Sequence, residues 1–364
     1  MKNPSPLHIA VSLSAVLIAV SCGGGSGSSD TTSTVVPTSS TVAATTTTTP
    51  LETTVPVAGP VMPLTGLPVT DEVTALRPAV VVKIDNHPDA RPQSGLNEAD
   101  IVYEENVESL TRFALVFHSQ GSDPVGPIRS ARTQDINLLS SLNGVLFVWS
   151  GGNAGVTAAV KSSNFVNMSA SAAGKGSGFF RSDDKKAPHN LYTNTSNIWA
   201  IAAGRGGTPV AQFEYSSDLT NFHGDAVVGA KLRMDGNTRT SWEWDSSLSK
   251  FVRRNDQKAH IDSHGVQVNT DNVVILTVEY KISAANKKSP EAQTTGTGVA
   301  WILHQGKITI GTWTRADKMA PWTLTDETGS PILLTVGRTF VELIRKGQGV
   351  IVPSGSSLTA TPWP

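Results

Sequence analysis

From Pro63 onward, short apolar runs alternate with clusters of turn-forming residues. Residues 79–84 (Ala-Val-Val-Val-Lys-Ile) are a β-branched run closed by Asp85-Asn86-His87-Pro88, which predicts a strand and a turn. Residues 101–105 and 113–118 read as two further strands. Apolar positions at Ile136, Leu138, Leu139 and Leu142 recur at helical spacing and predict a helix over 129–142. Residues 145–149 (Val-Leu-Phe-Val-Trp) predict a buried strand. After it, Ser150-Gly151-Gly152-Asn153 leads into a predicted helix over 154–161, and another fits 196–203, ended by Gly204. Strands alternating with helices argue for an α/β layer. Beyond Gly206-Gly207 the helical pattern stops. Short strand candidates follow at 227–234, 240–244, 273–280, 299–304, 307–313, 332–335 and 339–343, separated by Gly-containing turns. His304-Gln305-Gly306-Lys307 reads as a tight hairpin. The expected fold is an α/β N-terminal domain, a mixed sheet with helices, followed by a mainly antiparallel β domain.

The first sixty residues have a different texture. Residues 9–20 are apolar except for Ser12 and Ser14, and they follow a short start carrying only Lys2 as a charge. That layout is a secretory signal, too short for a comfortable membrane span. The run ends at Ala19-Val20-Ser21-Cys22, which resembles a lipobox and makes Cys22, the chain's single cysteine, the expected lipidation site. The alternative is an ordinary secretory signal with a chance cysteine. Residues 23–61 are Thr, Ser, Val, Pro and Gly with almost no charge, including the run Thr45 to Thr49. Such a stretch buries too little apolar surface to offset its ordering entropy and reads as a tether. The expected organisation is a signal peptide at 1–21, a lipidated Cys22 and tether at 22–62, the α/β domain at 63–210, the β domain at 211–353 and a tail at 354–364. Roughly 300 residues remain for folding, enough for two domains or one large one. A net charge of −1 gives no electrostatic footprint for nucleic acid. With Cys22 acylated, no thiol remains for cysteine catalysis, a Cys-based zinc site or a disulfide.

Several phrases occur together in a recognisable order. They are Pro63-Leu-Thr-Gly-Leu, Lys83-Ile-Asp-Asn, Arg91-Pro-Gln-Ser-Gly-Leu, Ala99-Asp100 with Glu104, Gly126-Pro-Ile-Arg-Ser-Ala-Arg132 and Ala187-Pro-His-Asn-Leu-Tyr192. His260-Ile-Asp, Asp271-Asn-Val and Gly311-Thr-Trp-Thr-Arg315 follow in the second half. Over essentially everything after residue 62 the chain resembles the YerB-like lipoproteins. The resemblance implies a lipid-anchored extracytoplasmic protein in two parts; it implies no reaction and supplies no catalytic residues.

Candidate chemistry collects in the α/β half. Asp85 and Asn86 lie at one predicted strand end, and Gly151 and Gly152 at another, where open α/β sheets gather ligands. The free N–H groups of the helix after Gly152 favour an anion, with Asn153 as its N-cap. Arg129 and Arg132, three apart on the expected helix, would share a face and clamp a phosphate or carboxylate. The plainer alternative pairs them with Asp100, Glu104 or Glu108. Glu104 and Glu105 point opposite ways on a strand, so one of them at most joins a given site. His189, in a proline-ordered loop, is the best single candidate for proton transfer or ligand contact, against the plainer reading of a purely structural hydrogen-bonding histidine. A cluster of His87, Asp85 and Asp89 reads as a turn more readily than as a metal site, and no metal or cofactor is expected. Trp242, Trp244, Trp301, Trp313 and Trp322 read as core, and His260 with Asp262 as a buried hydrogen-bonded pair. Neither Ser130 nor Ser150 sits in a Gly-x-Ser-x-Gly elbow.

These readings converge on a membrane-anchored protein on the outer face of the cell membrane. It would bind an anionic or glycan-related envelope ligand through Asp85, Asn86, Glu104, Arg129, Arg132, Gly151, Gly152 and His189. The alternatives are an envelope hydrolase or transferase using Asp85 or Glu104 with His189 and the two arginines, and an assembly partner with no small-molecule site. Whether the chain is an enzyme stays open on sequence alone.

Overall fold

The computed structural model describes residues 59–174, 176–218, 220 and 222–364. The signal peptide, Cys22 and nearly all of the tether lie outside the described residues. Pro60 and Met62, expected in the tether, are already bonded: Val69 N–H donates to Pro60 O, and Met62 N–H to Leu67 O. The described residues fall in one compact unit.

Helices are few, and a large sheet dominates. One edge of it begins with Lys258–Ala259, Lys250–Asn255, Arg239–Asp245 and Asp225–Arg233. Next come Lys307–Arg315, Gly296–His304, Asn272–Thr277 and Thr339–Ile344, and then Ile101–Val107, Leu110–Phe117, Val80–Asp85, Leu146–Val148 and Val166–Asn167. The N-terminal region is mixed, because Val80–Asp85 pairs antiparallel with Leu110–Phe117 and parallel with Leu146–Val148. The C-terminal region is mostly antiparallel. The two regions meet at Thr339–Ile344, which lies parallel to both Ile101–Val107 and Asn272–Thr277.

Strands 80–85 and 101–107 are buried along their whole length, so their sequences do not alternate apolar with polar, and Lys83, Asp85, Glu104 and Glu105 are buried with them. Two apolar layers cover the two sheet faces. One gathers Val81, Tyr103, Phe147, Trp313 and Leu343; the other gathers Val82, Phe113, Trp242, Phe251 and Phe340. Of the five tryptophans read as core, Trp242, Trp313 and Trp322 are buried, while Trp244 and Trp301 are half-buried and pack against it. The Gln305-Gly306 turn has φ of 50° and 69°, the left-handed pair that a two-residue hairpin requires. The sheet curls over itself, so that Trp242 Nε1 donates to Glu342 at 2.8 Å and Arg253 reaches Glu104 at 2.6 Å. The tail also packs: Leu358 is buried, and Lys231 Nζ donates to Leu358 O at 3.1 Å and lies over the Trp363 ring.

One element departs from the sequence reading. The helix expected over 129–142 starts only at Gln134 and runs Gln134–Leu139, followed by a 3-10 turn Ser140–Leu142. Residues 129–131 lie outside any helix, because neighbouring strand ends take their backbone groups. Arg129 N–H donates to Lys83 O, Ser150 N–H to Arg129 O and Ala131 N–H to Gly151 O.

Candidate functional site

Three segments are laced together by main-chain bonds at the end of strand Val80–Asp85. Asp85 N–H donates to Pro127 O, and Ile128 N–H donates to Leu191 O. This brings the side chains of Asp85, Arg129 and His189 to one point. Asp85 is 1 % exposed; its Oδ1 accepts the His87 N–H at 3.0 Å, closing the turn. Its Oδ2 meets His189 Nδ1 at 2.6 Å and Arg129 Nε at 3.0 Å. With Nδ1–H donated to the carboxylate, His189 keeps its Nε2 lone pair for another partner. The His87 ring stacks on His189 at 4.5 Å between centroids.

The loop carrying His189 is pinned by Lys185, whose ammonium donates to Ala90 O at 2.9 Å, Pro92 O at 2.5 Å and Tyr192 Oη at 2.8 Å. Its three protons are thereby used, and burial lowers its pKa. His189 then lines a cleft of about 990 Å³ with Arg91, Ser94, Phe180, Lys186, Tyr192 and His264 among its walls. Phe180 is 44 % exposed and stacks on Tyr192 at 5.8 Å. Arg91 donates to Asn86 O and Oδ1; burial, and then Arg253, pull its pKa down to about 10.

The other expected site residues go elsewhere. Arg132 makes a two-point pair with Glu108, Nε to Oε1 at 3.0 Å and Nη2 to Oε2 at 2.7 Å. It lines a separate hollow of about 470 Å³ with Ser130, Ser150, Gly151, Gly152 and Asn153. The shared helix face expected for Arg129 and Arg132 does not exist, since both precede the helix. Asn153 does cap the helix Ala154–Lys161, accepting Val156 N–H at 2.9 Å. Gly151 has φ 133° with open space around it, whereas a Cβ on Gly152 would meet Val156 at 2.9 Å. Between the two arginines lies Arg112, donating to Ser130 O at 2.8 Å, with its pKa lowered to about 10 by burial and then by Arg132 and Arg129.

Glu104 and Asn86 belong to the interior. Glu104 accepts from Asn86 Nδ2 at 3.1 Å and from Thr111 at 2.6 Å, and pairs with Arg253. Glu105, on the opposite strand face, pairs with Lys83. His260 and Asp262 are both buried but not bonded to each other: His260 joins Arg253 and Gln93, while Asp262 joins Asn97. Lys185 and Tyr192 carry a faint signal, since they flank His189 in the same phrase. Arg253 carries none.

A large mixed sheet in the N-terminal region continued by mostly antiparallel strands in the C-terminal region describes a two-domain protein with few helices. The chain belongs to the DUF3048 family: residues 64–208 match "Protein of unknown function (DUF3048) N-terminal domain", and residues 230–341 match its C-terminal counterpart. It is similar to "Putative lipoprotein YerB" of Bacillus subtilis (strain 168), at 29 % identity over 305 residues, 79 % of this chain and 89 % of the relative. The crystal structure of the YerB protein from Bacillus subtilis shares the fold, with a TM-score of 0.71 at 24 % identity, covering 80 % of this chain and 99 % of that one. Among the described residues no helix is long and apolar enough to cross a membrane.

Proposed function

We propose that this chain is held at the outer face of the cell membrane by lipid on Cys22 and binds an anionic or glycan-related envelope ligand in the His189 cleft. The observation that carries this reading is His189, fixed by Asp85 at 2.6 Å and set in the wall of a cleft of about 990 Å³. Arg91, Lys186 and His264 supply donors to an anion there, and the exposed Phe180 ring suits the face of a sugar. Of the residues expected to line the site, Asp85 and His189 remain its working pair and Arg129 braces Asp85. Glu104, Asn86, Arg132, Gly151 and Gly152 do not contribute to this cleft.

Titration of the purified protein with solubilised peptidoglycan fragments and, separately, inorganic phosphate tests the cleft. His189→Ala and Phe180→Ala are each expected to weaken fragment binding about tenfold or more, the loss of one charged contact or one aromatic contact. Fragment binding that persists unchanged in both proteins would remove the reading. The anchor is checked apart from the cleft: Cys22→Ala is expected to move the protein out of the membrane fraction, and a variant that stays there overturns the lipid.

A second reading is favoured by the same 2.6 Å contact. A carboxylate-backed imidazole is also a general base, and a hydrolase or transferase would use His189 Nε2 to take a proton from water or a hydroxyl. Turnover of the same fragments, abolished by His189→Ala, is the outcome that separates this reading from binding alone.

A further inference from the structure

We propose that His87, Asp89 and His189 form a binding site for a divalent transition-metal ion, with Asp85 as the carboxylate behind it. The ligand atoms of these residues all lie within 4.8 Å of one another. His87 Nδ1 lies 3.6 Å from Asp89 Oδ2 but accepts the Asp89 N–H at 3.2 Å, so the ring's Nε2 is the nitrogen left for an ion. The two imidazole rings stack at 4.5 Å with 19° between their planes. His87 and Asp89 are on the exposed side, with side chains 37 % and 74 % accessible. They have room to close the remaining distance.

An independent observation comes from behind the cluster. Asp85 is buried and takes His189 Nδ1–H at 2.6 Å, which fixes the ring and turns Nε2 away from the carboxylate. A metal-bound histidine ordinarily gives its other N–H to a carboxylate in this way, and loss of that partner costs 10–100-fold in affinity. Arg129 on the same oxygen holds the carboxylate in place. The turn also brings its ligands in one short stretch: Asp85 binds the His87 N–H, and His87 caps the Pro88–Ala90 turn that carries Asp89. Two imidazoles and one carboxylate, with positions open toward the cleft, suit zinc or another first-row divalent ion over calcium or magnesium, which prefer oxygen ligands. Such an ion would add positive charge to the cleft wall, so the inference shares its location with the ligand reading but is tested without that ligand.

The experiment is calorimetric titration of the full chain in detergent, stripped with EDTA, with zinc chloride alone. One equivalent is expected to bind. His87→Ala and His189→Ala are each expected to weaken binding by about 100-fold or more, and Asp85→Asn by about 10–100-fold. His223→Ala, an exposed histidine outside the cleft, is expected to leave binding unchanged. At a hundredfold excess of zinc over its Kd, the melting temperature of the wild type should rise by roughly 5 °C, and that of His87→Ala should not. No uptake by the wild type, or equal uptake by His87→Ala, overturns the site. If His189→Ala melts early in EDTA, the His87→Ala titration decides, because that ring is exposed. Fragment binding in EDTA without zinc uptake removes the ion alone; zinc uptake without fragment binding removes the ligand reading alone.

Discussion

Arg253→Ala is expected to destabilise the protein by about 3–5 kcal/mol, read as a lower urea midpoint with an unchanged slope. Arg253 is fully buried where the curled sheet closes on itself. Its guanidinium donates to Glu104 at 2.6 Å, to Thr240 at 2.7 Å, to Asn255 at 2.8 Å and to His260 Nδ1 at 2.6 Å, with the Phe113 ring at 5.3 Å. Burial, and then Arg253 itself, hold the His260 imidazole well below its usual pKa, so the neutral ring accepts on Nδ1 and donates from Nε2 to Gln93 at 2.9 Å. Gln93 in turn donates to Asp85 O at 3.0 Å. The network that joins the two regions therefore ends on the backbone of the cleft residue. Removing the guanidinium leaves Glu104 as a buried charge with no cation, and the penalty comes mostly from that orphan.

Glu342 supplies the control. It is buried against Glu104, and burial, and then that neighbour, push its pKa well above the carboxylate range. Its Oε1 accepts from Trp242 Nε1 at 2.8 Å. Glu342→Gln preserves that acceptor and a donor, so it is expected to change stability by no more than about 1 kcal/mol. A cost for Glu342→Gln equal to that of Arg253→Ala would mean that Glu342 is ionised and that the charge count of this core is wrong.

Local pattern reveals the strands but not their neighbours. Val80–Asp85 and Ile101–Val107 announce themselves by the β-branched and aromatic residues that open them, Val80-Val81-Val82 and Ile101-Val102-Tyr103, and the helix Ala154–Lys161 matches its predicted span residue for residue. The insertion of Thr339–Ile344 between strands 101–107 and 272–277 leaves no local trace, because partner choice over such separations is a tertiary property. Strands Lys250–Asn255 and Asn286–Ala292 escape notice because charged side chains mask their alternation. The same masking hides Arg253: it faces the core, while Arg254, next in sequence, pairs with Glu243 at the half-exposed surface. For the site, the Asp85 turn and the His189 loop are legible as motifs, and their meeting is not. Arg129 and Arg132 look like one helix face only while the backbone demands of strand ends 83 and 151 are unknown.

Lys83→Met is expected to cost about 3–5 kcal/mol at pH 8 and distinctly less at pH 5. Lys83 Nζ lies 2.5 Å from Glu105 and 2.8 Å from Asp135, all three side chains fully buried. Burial, and then Asp135, raise the Glu105 pKa to about 7, with Lys83 opposing the rise. A carboxyl whose folded pKa exceeds its unfolded value keeps a proton that the unfolded chain gives up. Stability from this group is therefore fully present below about pH 4.5 and is lost as pH rises through 7. Taking away the ammonium removes the one force holding that pKa down, so the window moves upward and widens. At pH 8 the variant buries carboxylate charge with no cation; at pH 5 Glu105 holds a proton that it can donate to Asp135. Urea unfolding at pH 5, 6.5 and 8 reads the difference, with methionine filling the volume of the lysine stem. A penalty that is the same at all three values would show that packing, not charge, is what Lys83 provides. Since Arg129 N–H binds Lys83 O at 2.8 Å, the variant also reports whether this core sets the position of the Asp85–His189 pair. Zinc or fragment affinity that falls in parallel with stability places the two clusters in one unit.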